Sequence, residues 1–317
     1  MPNQSSWITE DQHGFDPIYT RNVQRVFRAR HKVDEPGLIS HITQRAAGRE
    51  PLFLEDGDYL TMLALLKESA EKFNLCYYAL CLMPNHVHIL LKPKERNLAE
   101  AMRWVFSGYA AKFNRRYERR GHLFGGPYRQ SVCLDNTYLL TASVYIHLNP
   151  VRAGLVDDVN SYRWSSASLY CRNRPEDSFI DPGLVLRLVR DDESSARKEY
   201  RQLLQRAQGE ELNNALEQEG AIESFCLRLT EIFPRLFSKL SQKSGGDQEH
   251  SSLLELTELE RRLQEVFSTR ARNEESKQAK KYIAEQLLAR GFKKTEIADK
   301  MGISRKAVYN ILNSNFS

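Results

Sequence analysis

Two histidines, His86 and His88, stand one residue apart in the apolar run CLMPNHVHILLKP, residues 81 to 93. Side chains alternate across an extended strand, so both imidazoles project from one face while Val87 enters the opposite layer. Imidazoles at that spacing can share one divalent cation, although an H-x-H pair alone fits two hydrogen-bonded strand histidines equally well. A second group capable of chemistry lies in DNTYLLTASVYIHLNP, where Tyr145 and Asn149 are four residues apart and share a helical face. An amide oxygen is a hard ligand that suits magnesium or manganese beside imidazole, and a phenol one turn away lies near such an ion without ligating it. Read alone, Asn149 is also an ordinary helix-terminal residue before Pro150, and Tyr145 an ordinary core aromatic.

The elements that must position these residues follow from periodicity. From Gly37, LISHITQR predicts a strand, and apolar positions over 57–73 keep helical spacing. CYYALCLM (76–83) and HVHILLKP (86–93) are two further strands joined at Pro84-Asn85. Asn97 with Glu100 resembles a capping box opening a helix that runs to about Tyr117, and QSVCL (130–134) is a fourth strand. Asp135 then caps a helix expected to end at Asn149-Pro150. The order β-α-β-β-α-β plus one more helix is that of an α+β, ferredoxin-like antiparallel sheet with both connecting helices on one face. His41 in the first strand reads as a satisfied strand histidine, and His147 falls on a different helical face from Tyr145; neither is enlisted.

M-P-N-H-V-H (83–88), G-H-L-F (121–124), Y-I-H-L-N-P-V-R-A-G (145–154) and W-S-S (164–166) occur in that order. With them, the segment from about Gly37 to Tyr170 resembles the HUH transposases that use a single catalytic tyrosine (IS200-like), and among them the REP-associated tyrosine transposases. The resemblance implies a DNA endonuclease and strand transferase. Tyr145 would be its nucleophile, and His86, His88 and Asn149 would hold a divalent metal, Mg2+ or Mn2+. Single-stranded DNA beside a hairpin or palindrome would be cut through a 5′-phosphotyrosine and rejoined without ATP. Two features depart from the family pattern: Asn149 stands where many relatives carry glutamine, and FGGPYRQ (124–130) has Pro127 at a usually basic position, with Arg129 close by.

The remaining chain divides by composition. Residues 1–36 read as an N-terminal arm, 37–170 as the catalytic domain, 171–237 as a helical middle region without recognisable chemistry, and 238–252 (SKLSQKSGGDQEHSS) as a linker. Residues 253–317 read as helical, ending in GFKKTEIADKMGISRKAVYNILN, a helix-turn-helix whose second helix would enter the major groove of duplex DNA. Ser304, Arg305, Lys306, Tyr309 and Asn310 are its outward residues. Lys112, Arg115, Arg116, Arg119, Arg120 and Arg129, interleaved with Phe113, Tyr117 and Tyr128, are candidates for phosphate contact and base stacking.

The net charge of +5 is modest but clustered, which suits a polyphosphate partner. Five scattered cysteines without a C-x-x-C pair, and no apolar run of membrane-spanning length, predict a soluble, cytoplasmic, nucleoid-associated protein with no membrane partner. Monomer and homodimer are both left open. The alternative function is a domesticated transposase relative that binds specific DNA as a regulator without cutting it.

Overall fold

The apolar runs of the N-terminal half pair into one antiparallel sheet. Its strands are β1 (Ser40–Arg45), β2 (Leu75–Met83), β3 (His86–Pro93) and β4 (Arg129–Val132), in the order β2-β3-β1-β4. The computed structural model describes residues 32–48, 50–133, 135–172, 177–208, 221–243, 274–289 and 292–314. Helix α1 (Asp56–Lys72) connects β1 to β2, α2 (Leu98–Arg116) connects β3 to β4, and α3 (Asn136–Arg152) follows β4. This is the expected α+β, ferredoxin-like arrangement.

Strand β3 is buried on both sides, and its alternation divides the core. Val87, Ile89 and Leu91 join residues of α1 and α2 such as Met62, Leu66, Met102 and Val105 in one cluster. Leu90 joins α3 in a second cluster, on the face that also carries His86 and His88. That second layer continues through α4 (Ala167–Cys171), α5 (Gly183–Val189), α6 (Glu193–Gln208), α7 (Ala221–Ile232) and α8 (Pro234–Lys243), which bury Tyr200, Phe225 and Phe237 around α3.

Three boundaries differ from expectation. Helix α3 continues through Asn149 and Pro150 to Arg152. Proline removes one N–H but still permits a short extension, and the last turn closes by Ala153 N–H donating to Asn149 O at 2.9 Å. At the start of α2, the Asn97 amide donates to Phe73 O (3.0 Å), while Asp34 Oδ1 accepts from Leu98 N–H (2.6 Å). The cap is therefore a carboxylate delivered by the lead-in segment, not the local asparagine. Helix α8 runs to Lys243, so residues 238–243 of the expected linker are helical. Residues 1–31 of the arm and 244–273 lie outside the described residues.

Three C-terminal helices, α9 (Glu274–Ala289), α10 (Lys294–Met301) and α11 (Arg305–Asn313), bury Ile283, Leu287, Ile297, Met301 and Val308 together. Gly302 closes α10 in the left-handed region (φ +61°), and Ser304 Oγ accepts from Ala307 N–H (3.1 Å) to open α11. The same apolar cluster includes Val33, Leu38 and Val132, and Arg96 bridges Glu35 (2.5 Å) and Glu285 (3.2 Å) beside it. Among the described residues no helix is long and apolar enough to cross a membrane.

Candidate active site

Pairing in the sheet determines which side chains meet. Thr43 of β1 lies opposite His88, Arg45 opposite His86, and on the other side Thr43 and His41 face Arg129 and Ser131 of β4. Cross-strand partners share a face, so two histidines from β3 and one from β1 converge with Thr43 and Arg129. They line a cavity of about 430 Å³ whose walls include His41, His86, His88, Arg129, Tyr145 and Ile222. The His86 and His88 rings lie 4.8 Å apart at nearly 90°, and the Tyr145 ring lies 5.7 Å from His88 and 6.1 Å from His41. Val87, fully buried in the opposite cluster, obeys the expected alternation.

Whether the donor set fits a divalent metal depends on which ring nitrogens carry the proton. His86 Nδ1 bonds Asn85 Oδ1 at 2.7 Å, which makes Nδ1 the protonated nitrogen and gives Nε2 the lone pair. His88 Nδ1 lies 3.0 Å from His41 Nε2 and 3.3 Å from Thr43 Oγ1. When His88 is the donor, its Nε2 likewise has a lone pair to offer. Two imidazoles each anchored at Nδ1 are the arrangement by which outer partners orient metal-binding histidines, so these residues fit the cation. His41, read from sequence as a bystander, is thus part of the site. Among the described residues no group of three or more His, Cys, Asp or Glu is arranged to hold a metal by itself.

Helix α3 holds Tyr145 through a polar pin on its other side. His147 is fully buried, with Nδ1 2.8 Å from Tyr200 Oη and Nε2 2.8 Å from Ser166 Oγ. Burial pushes its pKa down to about 3, so the ring is neutral. Ser166 in turn accepts from Leu80 N–H of β2 at 2.9 Å, which ties helix to sheet and explains the W-S-S signature structurally. Asn149 is buried but does not line the cavity: its amide donates to Tyr145 O at 2.8 Å, along its own helix. The structure therefore brings His86, His88 and Tyr145 together and leaves Asn149 one turn away, turned onto the backbone.

Residues 36–149 match the family described as "Transposase IS200 like". The matched stretch is the whole sheet plus α3 up to Asn149, so it contains His86, His88, Tyr145 and Asn149. Among solved structures, a REP-associated tyrosine transposase bound to a REP hairpin resembles the chain with 15% identity and a TM-score of 0.41. That match covers 49% of this chain and 92% of the other. No curated protein matches the chain.

The matched segment distributes its basic residues unevenly. Helix α2 lies on the face of the sheet opposite the histidines, so the run at 110–122 does not line the cavity. Within it, Arg116 pairs with Asp58 (2.7 Å) and Glu55 (3.2 Å), and Arg119 pairs with Glu50, whereas Lys112, Arg115 and Arg120 are exposed. Arg129 is the member of the group that reaches the cavity, together with Gly125, Gly126 and Pro127 from the G-H-L-F loop. Gly125 lets the loop approach closely there, since a Cβ would meet Ala46 O at 3.0 Å. The middle region also contributes: Ile222 of α7 lines the cavity, and Phe225 packs 6.2 Å from the Tyr145 ring. On α11, Ser304, Arg305, Lys306, Tyr309 and Asn310 are all exposed.

Proposed function

We propose that the chain is a metal-dependent DNA strand transferase that cleaves single-stranded DNA beside a hairpin through a covalent bond to Tyr145. The observation that supports this reading is that Tyr145 opens into the same cavity as His86 and His88. A divalent cation, Mg2+ or Mn2+, held by His86 and His88, would polarise the scissile phosphate and offset charge on its oxygens; Asn149 would join as the third protein donor only on turning away from the Tyr145 carbonyl that its amide now bonds.

Tyr145 supplies the nucleophile. Its phenolic oxygen forms the new bond to phosphorus, the bond to the 3′ oxygen breaks, and that oxygen takes up a proton to leave as a hydroxyl. The phosphodiester becomes a 5′-phosphotyrosine, so the reverse attack by a 3′-hydroxyl rejoins DNA without another energy source. His41 and Asn85 hold the two histidine rings, and the His147 pin fixes the helix that carries the nucleophile. Arg129 supplies a cation at the cavity wall for the incoming backbone. The helix-turn-helix reading of α10 and α11 adds duplex binding through the exposed Ser304, Arg305, Lys306, Tyr309 and Asn310. The solved relative is described as bound to a REP hairpin, which makes hairpin-bearing oligonucleotides the first substrates to try.

Incubating the full chain with Mg2+ or Mn2+ and such an oligonucleotide is expected to give a protein–DNA adduct on a denaturing gel. Tyr145→Phe should abolish it, and His86→Ala or His88→Ala should reduce it severely. An adduct that persists in Tyr145→Phe would reassign the nucleophile. DNA binding without any adduct across a panel of hairpins would favour the regulator instead.

A further inference from the structure

Arg152 ends α3 seven residues, or two turns, after Tyr145, on the face that also carries Asn149. Its guanidinium lies over the Phe225 ring of α7 at 4.3 Å, and the same Phe225 packs against Tyr145. Both terminal nitrogens, Nη1 and Nη2, are buried with no hydrogen-bond partner among the described residues. Other buried or half-buried arginines find oxygens: Arg197 takes Glu193 together with two backbone carbonyls, and Arg119 takes Glu50. Burial pushes the Arg152 pKa down to about 10, and a negative charge on the Tyr145 oxygen opposes this shift.

A sealed guanidinium that meets no counter-charge among the described residues destabilises the fold, so its presence calls for an anion that arrives later. Its planar fork of donors suits phosphate oxygens. We propose that Arg152 is an anion-binding residue of this centre, balancing the phosphate charge that appears when a DNA strand becomes joined to Tyr145. The proposal rests on the reading of Tyr145 as nucleophile. A neutral phenol is then replaced by an anionic phosphodiester: the phenolic oxygen bonds phosphorus, the 3′ oxygen departs with a proton, and Arg152 supplies the counter-cation. The other role Arg152 could play is packing alone, as a lid over Phe225.

The two roles differ in stability as well as chemistry. In the metal-free full chain, with inorganic phosphate as the probe, phosphate is expected to raise the unfolding midpoint of the wild type by about 2–4 °C over chloride at matched ionic strength. Arg152→Lys should retain part of this response, and Arg152→Met should lose it while unfolding in chloride at or above the wild-type midpoint. An equal phosphate response in Arg152→Met, or a lower midpoint for it in chloride, overturns the proposal. With a hairpin substrate, Arg152→Met should cut the adduct fraction at least tenfold, with partial recovery in Arg152→Lys. Hairpin affinity measured in a Tyr145→Phe background should change less than about twofold on adding Arg152→Met. If the wild type forms no adduct, the nucleophile reading fails, and the phosphate response of metal-free protein still decides whether Arg152 binds anions.

Discussion

Replacing His147 by phenylalanine is expected to remove a pH dependence of stability whose size follows from the structure. The ring is buried and neutral, with a folded-state pKa of about 3 against an ordinary value of 6.5. Above about pH 6.5 it is neutral in both folded and unfolded chains, and its contribution is present in full. As pH falls below that value, the unfolded chain takes up a proton that the folded ring refuses until about pH 3. The linkage costs about 2 kcal/mol between about pH 8 and about pH 5. His147→Phe keeps a planar ring but loses the bonds to Tyr200 and Ser166, while Tyr200 keeps Ser143 (2.7 Å) and Ser166 keeps Leu80 N–H. Two lost bonds are worth about 1–3 kcal/mol at the alkaline end. Urea unfolding of both proteins, followed by tryptophan fluorescence, should show a clear wild-type advantage near pH 8 that shrinks by about 2 kcal/mol near pH 5. Stability curves that run parallel across this range would refute a neutral, pinned His147.

His41 is expected to act on metal binding through His88: His41→Phe should weaken Mn2+ affinity by about 10–100-fold in calorimetry, and His41→Gln, which can still bond Nδ1, by less. Unchanged affinity in His41→Phe would remove His41 from the site. For the C-terminal helices, Arg305→Ala with Lys306→Ala in the full chain should weaken duplex binding and make log affinity against log salt shallower by about 2. An identical slope would mean that α11 does not meet the DNA backbone.

Much of the fold is legible because its elements carry local signals. The bounds of β3 coincide with the run HVHILLKP, and Asp135 caps α3 as its position before a helical run implies, accepting from Tyr138 N–H at 2.7 Å. What was not legible depends on partners distant in sequence. His41 joins the site because β1 pairs with β3 in a register that aligns Thr43 with His88, and no local pattern encodes that register. Arg116 and Arg119 look like a basic face until Asp58, Glu55 and Glu50, some sixty or seventy residues earlier, fold against them. Asp34 displaces Asn97 as the cap of α2 for the same reason. Ile222 and Phe225 sit in a region without a motif, and only tertiary packing brings them to Tyr145. The i, i+4 spacing of Tyr145 and Asn149 correctly implies a shared helical face. It carries no information on the Asn149 rotamer, which bonds the helix backbone.

One phenolic oxygen, beside two oriented imidazoles, is expected to take the DNA strand. Digesting the full chain after reaction with Mn2+ and a hairpin oligonucleotide, then sequencing the nucleotide-bearing peptide by mass spectrometry, tests it directly. A phosphate-linked nucleotide is expected on Tyr145 within the α3 peptide, dependent on Mn2+. The same modification on another tyrosine, or an unmodified Tyr145 in a reaction that nevertheless yields cut DNA, would contradict it.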